Sequence, residues 1–164
     1  MKPLPALAIF LALCSPALAQ PKASPSTSKF VTEVARSDMF EIQSSELAAQ
    51  KADDATKSFA RQMVDDHGKT SAELKSLVNE GKVAATLPTE MSPGQQQKLA
   101  KLNRLDGAAF NRQYQRDQVS AHKTAVALFK RYASRGDNPD LKTWAGSTTP
   151  ALAHHLEMAQ MLGR

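Results

Sequence analysis

Residues 107–134 read GAAFNRQYQRDQVSAHKTAVALFKRYAS. Phe110, Tyr114, Ala125, Phe129 and Tyr132 recur there at separations that return to one side of a 3.6-residue repeat. Asp106 stands ahead of the stretch as a cap residue and Gly136 behind it as a break, with no proline between them. The pattern predicts one long amphipathic helix, and a helix with a single apolar stripe needs partners to cover it.

The flanking sequence supplies them. Upstream, Ser92-Pro93 is a cap followed by proline at the first helical position, which opens a short helix over 93–104. Ahead of that, two longer helices are predicted. The first covers 29–50, with Ser28 as its cap and Phe30 or Val31, Val34, Ser45 and Ala48 on its stripe. The second follows the cap Asp53 and runs to about residue 80, where Gly81 ends it; it carries Phe59 or Ala60, Met63, Thr70, Leu74 and Leu77. Downstream, Asn138-Pro139 predicts a short helix over 139–147, and Thr149-Pro150 a last helix bearing Leu152, Ala159 and Leu162. No segment alternates with the two-residue period of a strand. The expected fold is all-α: an up-down four-helix bundle over residues 29–162 with two additional short helices.

Each principal stripe is interrupted by one polar residue. Glu41 lies seven residues after Val34 and seven before Ala48. His67 is four after Met63 and seven before Leu74; His122 is eight after Tyr114 and seven before Phe129; His155 is three after Leu152 and four before Ala159. Seven residues are two helical turns, so all four side chains point into the bundle. Buried carboxylates and imidazoles are costly unless paired, hydrogen-bonded or metal-bound. Two readings follow. One is a structural polar network that fixes helix register. The other is a mononuclear site for one transition-metal ion (zinc, iron or copper) held by Glu41, His67, His122 and His155, with Asp66 and Asp117 as outer partners of the rings. Glu-x-x-His on two helices, the signature of a two-metal carboxylate centre, is missing. The cluster of His154, His155, Met158 and Met161 is a weaker copper candidate, better read as core packing.

Composition narrows the function classes. The first residues, MKPLPALAIFLALCSPALAQ, combine Lys2, an apolar run and the small-x-small site Ala17-Leu18-Ala19. They predict a signal peptide over 1–19, cleavage before Gln20, and a periplasmic or otherwise exported protein. Leu13 ahead of Cys14 argues against a lipid anchor, and the apolar run is too short to span a membrane. Cys14 is the single cysteine, so the exported chain has neither thiol nor disulfide. Residues 20–28, QPKASPSTS, are expected to form a disordered tether.

The net charge of +5 is spread among acidic residues, without the basic and aromatic clustering of a nucleic-acid platform. An envelope partner remains open, as does the oligomeric state. No G-x-S-x-G elbow, phosphate loop or G-x-G-x-x-G is present, so nothing in the sequence points to an enzyme.

Several local patterns occur together: Met39-x-Glu41, Met63-x-x-Asp66-His67, the run Gly107 to Phe110, His122, and Leu152-x-x-His155-Leu156. Over residues 30–162 they resemble the exported bacterial family known as domain of unknown function 4142. The resemblance implies a ferritin-like helical bundle and makes His155, rather than His154, the family position. Gln43 and Ala121 stand where members of that family often carry acidic residues.

Overall fold

The computed structural model describes residues 23–162, so the proposed signal peptide over 1–19 and its cleavage point lie outside the described residues. Five helices follow one another: α1 (Pro25–Lys51), α2 (Asp54–Asn79), α3 (Pro93–Asn103), α4 (Gly107–Arg135) and α5 (Pro139–Met161). Among the described residues there is no strand.

Caps set most of the boundaries. The Asp53 carboxylate accepts from the Thr56 amide at 2.8 Å, and Asn138 accepts from Leu141 at 2.9 Å. Ser92 and Gln95 close a reciprocal capping box. Each such cap contributes about 1 kcal/mol. Gly81 follows α2 at φ 73°, a conformation that suits glycine. Asp106 sits at the cap position of α4, but its side chain makes no cap bond; it pairs with Lys51 Nζ at 3.2 Å instead.

Two boundaries differ from the sequence reading. Helix α1 begins at Pro25 with Ser24, not Ser28, as its cap, so residues 25–28 belong to the helix and not to a tether. The reason is tertiary. Thr27 is buried and its hydroxyl donates to Asp137 at 2.7 Å, while Ala23 N–H donates to the Ala84 carbonyl at 2.9 Å. The other difference is α5, one helix where two were expected, with Pro150 inside it. Proline removes one helical donor, yet packing against α4 holds the helix continuous. The hydroxyls of Thr148 and Thr149 donate to the carbonyls of Trp144 and Ala145 in the turn before it.

Residue pairs fix the topology. Phe30 meets Phe129 and Tyr132, and Ser45 meets Tyr114, so α1 and α4 are antiparallel. His155 meets Asp66, and Trp144 meets Glu73, so α2 and α5 are antiparallel too. The segment carrying α3 returns along the bundle from the end of α2 to the start of α4. The diagonal pair α2 and α4 consequently run the same way, while all neighbours around the bundle are antiparallel. One long crossover joining two helical hairpins is the ferritin-like arrangement.

The interior has two apolar ends. One is built around Phe30, Val31, Val34, Leu74, Leu128, Phe129, Tyr132, Leu141 and Leu152. The other is built around Phe40, Phe59, Met63, Leu102, Phe110 and Tyr114. Phe30 stacks on Tyr132 at 4.1 Å and meets Phe129 edge-on at 5.1 Å, pairs worth about 1 kcal/mol each beyond their buried area. Between the two ends lies a polar layer.

Candidate metal centre

The layer takes one turn from each long helix. Asp38 and Glu41 come from α1, His67 from α2, Gln118 and His122 from α4, and His155 from α5; all are buried. The three histidines converge. Their ring centroids are 5.4, 5.5 and 5.7 Å apart, and one ring nitrogen from each lies within 4.8 Å of the others.

The hydrogen bonds assign the tautomers. His67 Nδ1 is 2.8 Å from Asp38 Oδ1, His122 Nδ1 is 3.0 Å from the Gln118 carbonyl, and His155 Nε2 is 3.2 Å from Asp66 Oδ2. A carboxylate and a carbonyl only accept, so each of these ring nitrogens carries the proton and donates it. In neutral imidazoles the opposite nitrogen of each ring is then a lone pair. For His67 and His122 these are the two Nε2 atoms, 3.3 Å apart. For His155 it is Nδ1, buried without a partner. Lone pairs facing one another at that distance require a proton or a cation between them.

Electrostatics follow from burial and from these partners. Burial pulls the pKa of His67 down, but the hydrogen bond and charge of Asp38 outweigh it and the net movement is upward. His122 is pushed down to about 3 by burial, assisted by the charge of His67. His155 is lowered by burial and by His67, with Asp66 opposing. Burial raises Glu41 to about 7, against an opposing pull from His67. Neither Glu41 oxygen has a hydrogen-bond partner, and Gln118 Oε1 is likewise buried without one.

Of the residues singled out in the sequence, His67, His122 and His155 come together, with Asp66 on the outer nitrogen of His155. Glu41 shares the layer but stands outside the group of mutually close ligand atoms. Asp117 does not serve as an outer partner of a ring. It is buried, accepts from Gln113 Nε2 at 2.9 Å, and lies 3.9 Å from Lys98 Nζ. Five residues, about 1.4 turns, separate Asp117 from His122, which rotates it to a different side of α4 from the trio. Its role falls to Asp38, which sequence reasoning missed. Besides His67, Asp38 accepts from Thr70 at 3.0 Å and from Ser71 at 3.2 Å. The signal was there: Val34, Asp38, Glu41, Ser45 and Ala48 follow a strict four-three spacing. His154 is exposed beside Glu157, 4.0 Å away, while Met161 is exposed, so the C-terminal copper cluster does not assemble around His155.

A cleft of about 450 Å³ opens between α1 and α4, bordered by α3. Its mouth is polar and its walls are apolar, and it reaches inward to Asp38 and His67.

The fold and this layer define a ferritin-like bundle with three imidazoles gathered at its centre. The chain belongs to the family described as Domain of unknown function (DUF4142), whose pattern matches residues 12–162. Two solved structures share the fold. A DUF305 fragment from Deinococcus radiodurans superposes with a TM-score of 0.74 at 16% identity, covering 88% of this chain and 99% of that one. CopM in the Cu(II)-bound form superposes with a TM-score of 0.67 at 18% identity, covering 82% of this chain and 93% of that one. No curated protein matches the sequence significantly. Among the described residues no helix is long and apolar enough to cross a membrane.

Proposed function

We propose that the protein is exported and binds one transition-metal ion between His67, His122 and His155, in a storage, sensing or stress role. The observation that carries this reading is the convergence of three buried histidines, one ring nitrogen of each within 4.8 Å of the others. Each ring donates its N–H to an acceptor-only partner, and the free Nε2 atoms of His67 and His122 face each other at 3.3 Å. Metal-binding histidines characteristically have such partners. The residues fit the group: three nitrogens suit zinc, copper(II) or iron, and Glu41 is a buried carboxylate in the same layer with both oxygens unpartnered. CopM, of the same fold, is described with Cu(II) bound, which puts copper beside zinc as the first ions to test. When bound, the ion supplies positive charge where the lone pairs meet; the chain's part is to orient the rings and exclude water.

The test is elemental analysis of untagged protein recovered from an exporting cell, with a His67→Ala variant beside it. Near-stoichiometric metal in the wild type, lost in the variant, with a chelator lowering Tm, supports the reading. Metal-free protein whose Tm ignores both chelator and added metal would sink it.

One observation favours a second reading, a non-catalytic envelope interaction or stress module. The contact of His67 Nε2 with His122 Nε2 is also what a protonated His67 would make, with Asp38 balancing its charge. The histidines would then be structural, and replacing them would cost stability without any metal dependence.

A further inference from the structure

The cleft between α1 and α4 has an uncompensated cation at its mouth. Arg36, half-buried, lines it, and its Nε is buried without a hydrogen-bond partner. Among the described residues, no carboxylate lies within ion-pair distance of its guanidinium. The other charges on the cleft are accounted for. Glu33 faces Lys29 at 3.8 Å, and Asp38 is engaged by His67, Thr70 and Ser71. Lys98 is half-exposed, 3.9 Å from Asp117 and 6.0 Å above the ring of Phe40. Among the described residues, the other two guanidinium nitrogens are neither buried nor hydrogen-bonded, so an anion in the cleft can pair with them.

Deeper in, the walls are apolar. Phe40, Leu128, Phe129 and Leu152 are all buried and face the same space. A volume of about 450 Å³ lies within the range of small-molecule sites, and a few polar groups beside an apolar body is their usual character.

We propose that this cleft binds a small amphipathic organic carboxylate, its charged end on Arg36 and Lys98 and its apolar body along Phe40, Leu128 and Phe129. The site goes beyond the metal centre and does not require it, although the two adjoin at His67. A ligand in the cleft would also cover that side of the histidine layer.

The probe is 4-phenylbutyrate, titrated into the purified, isotopically labelled full domain in the presence of EDTA and followed by amide chemical shifts. Saturable shifts centred on Ser37, Ser120, Thr124 and Leu128 are expected. Arg36→Gln should weaken binding about tenfold, the loss of one charge-assisted contact, and the neutral 4-phenylbutanol should bind comparably weakly. Ala121→Phe, which fills the cleft from its half-buried wall, should abolish the shifts. The half-exposed Arg36 position keeps the first variant foldable if the second is not. Absence of saturable shifts, or 4-phenylbutyrate binding undiminished in Arg36→Gln with the neutral alcohol binding the wild type as tightly as the acid, overturns the proposal. Because EDTA is present throughout, that failure says nothing against the metal centre, and a metal-free protein would not remove the cleft.

Discussion

His67 Nε2 and His122 Nε2 face each other at 3.3 Å across the diagonal of the bundle, each ring anchored on its far side by an acceptor. A proton and a metal ion compete for the same gap. Zinc affinity of the chelator-treated protein should therefore fall as pH drops below neutrality, by about tenfold per pH unit for one displaced proton. Competition titrations between pH 5.5 and 7.5 measure it. An affinity flat across that range would mean no imidazole proton is released.

Asp38 is expected to set the ring of His67. Asp38→Asn keeps the shape and leaves Thr70 and Ser71 in place, but removes the charge that favours Nδ1–H. Zinc affinity should fall by about 10- to 100-fold with little change in Tm of the metal-free protein. A large loss of Tm with unchanged affinity would make Asp38 purely structural.

Glu41 predicts an alkaline weakness. Its folded pKa of about 7 lies above its ordinary 4.5, so its contribution is fully present below 4.5 and is lost as pH rises through 7. The shift corresponds to about 3 kcal/mol. Glu41→Gln should flatten the decline of metal-free stability between pH 5 and 8, as read by urea denaturation at each pH. His122 acts on the other flank: its folded pKa of about 3 lies below 6.5, so its contribution is present above 6.5 and is lost on acidification. That acid limb should persist in the Glu41→Gln protein.

Pro150 lies inside α5, where its ring leaves the preceding turn one donor short. Pro150→Ala should restore that bond and raise stability by about 1 kcal/mol, seen as a higher denaturation midpoint at unchanged m-value. Destabilisation would show that the proline's restriction of the unfolded chain outweighs the restored bond.

The same dipeptide grammar succeeded in one place and misled in another. Ser92-Pro93 and Asn138-Pro139 do begin helices, as read. Ser24-Pro25 begins one as well, although its polar, proline-rich setting resembled a tether. Thr149-Pro150 begins none, because one buried face, Leu141, Ala145, Thr148, Leu152 and His155, runs continuously through it. A cap-then-proline pair is permissive. Packing decides whether the helix starts there or runs through.

Helical periodicity is a local property, so the sequence alone determined the helices and the inward direction of Glu41, His67, His122 and His155. It also held the position of Asp38 within the four-three stripe of α1, where it could have been read. How far each helix slides along its neighbour is not local. It depends on the crossover carrying α3 and on the two apolar ends packing simultaneously. Only that tertiary fit brought one nitrogen of each imidazole within 4.8 Å of the others, put Asp38 rather than Asp117 behind a ring, and left Glu41 beside the trio with no partner for either oxygen.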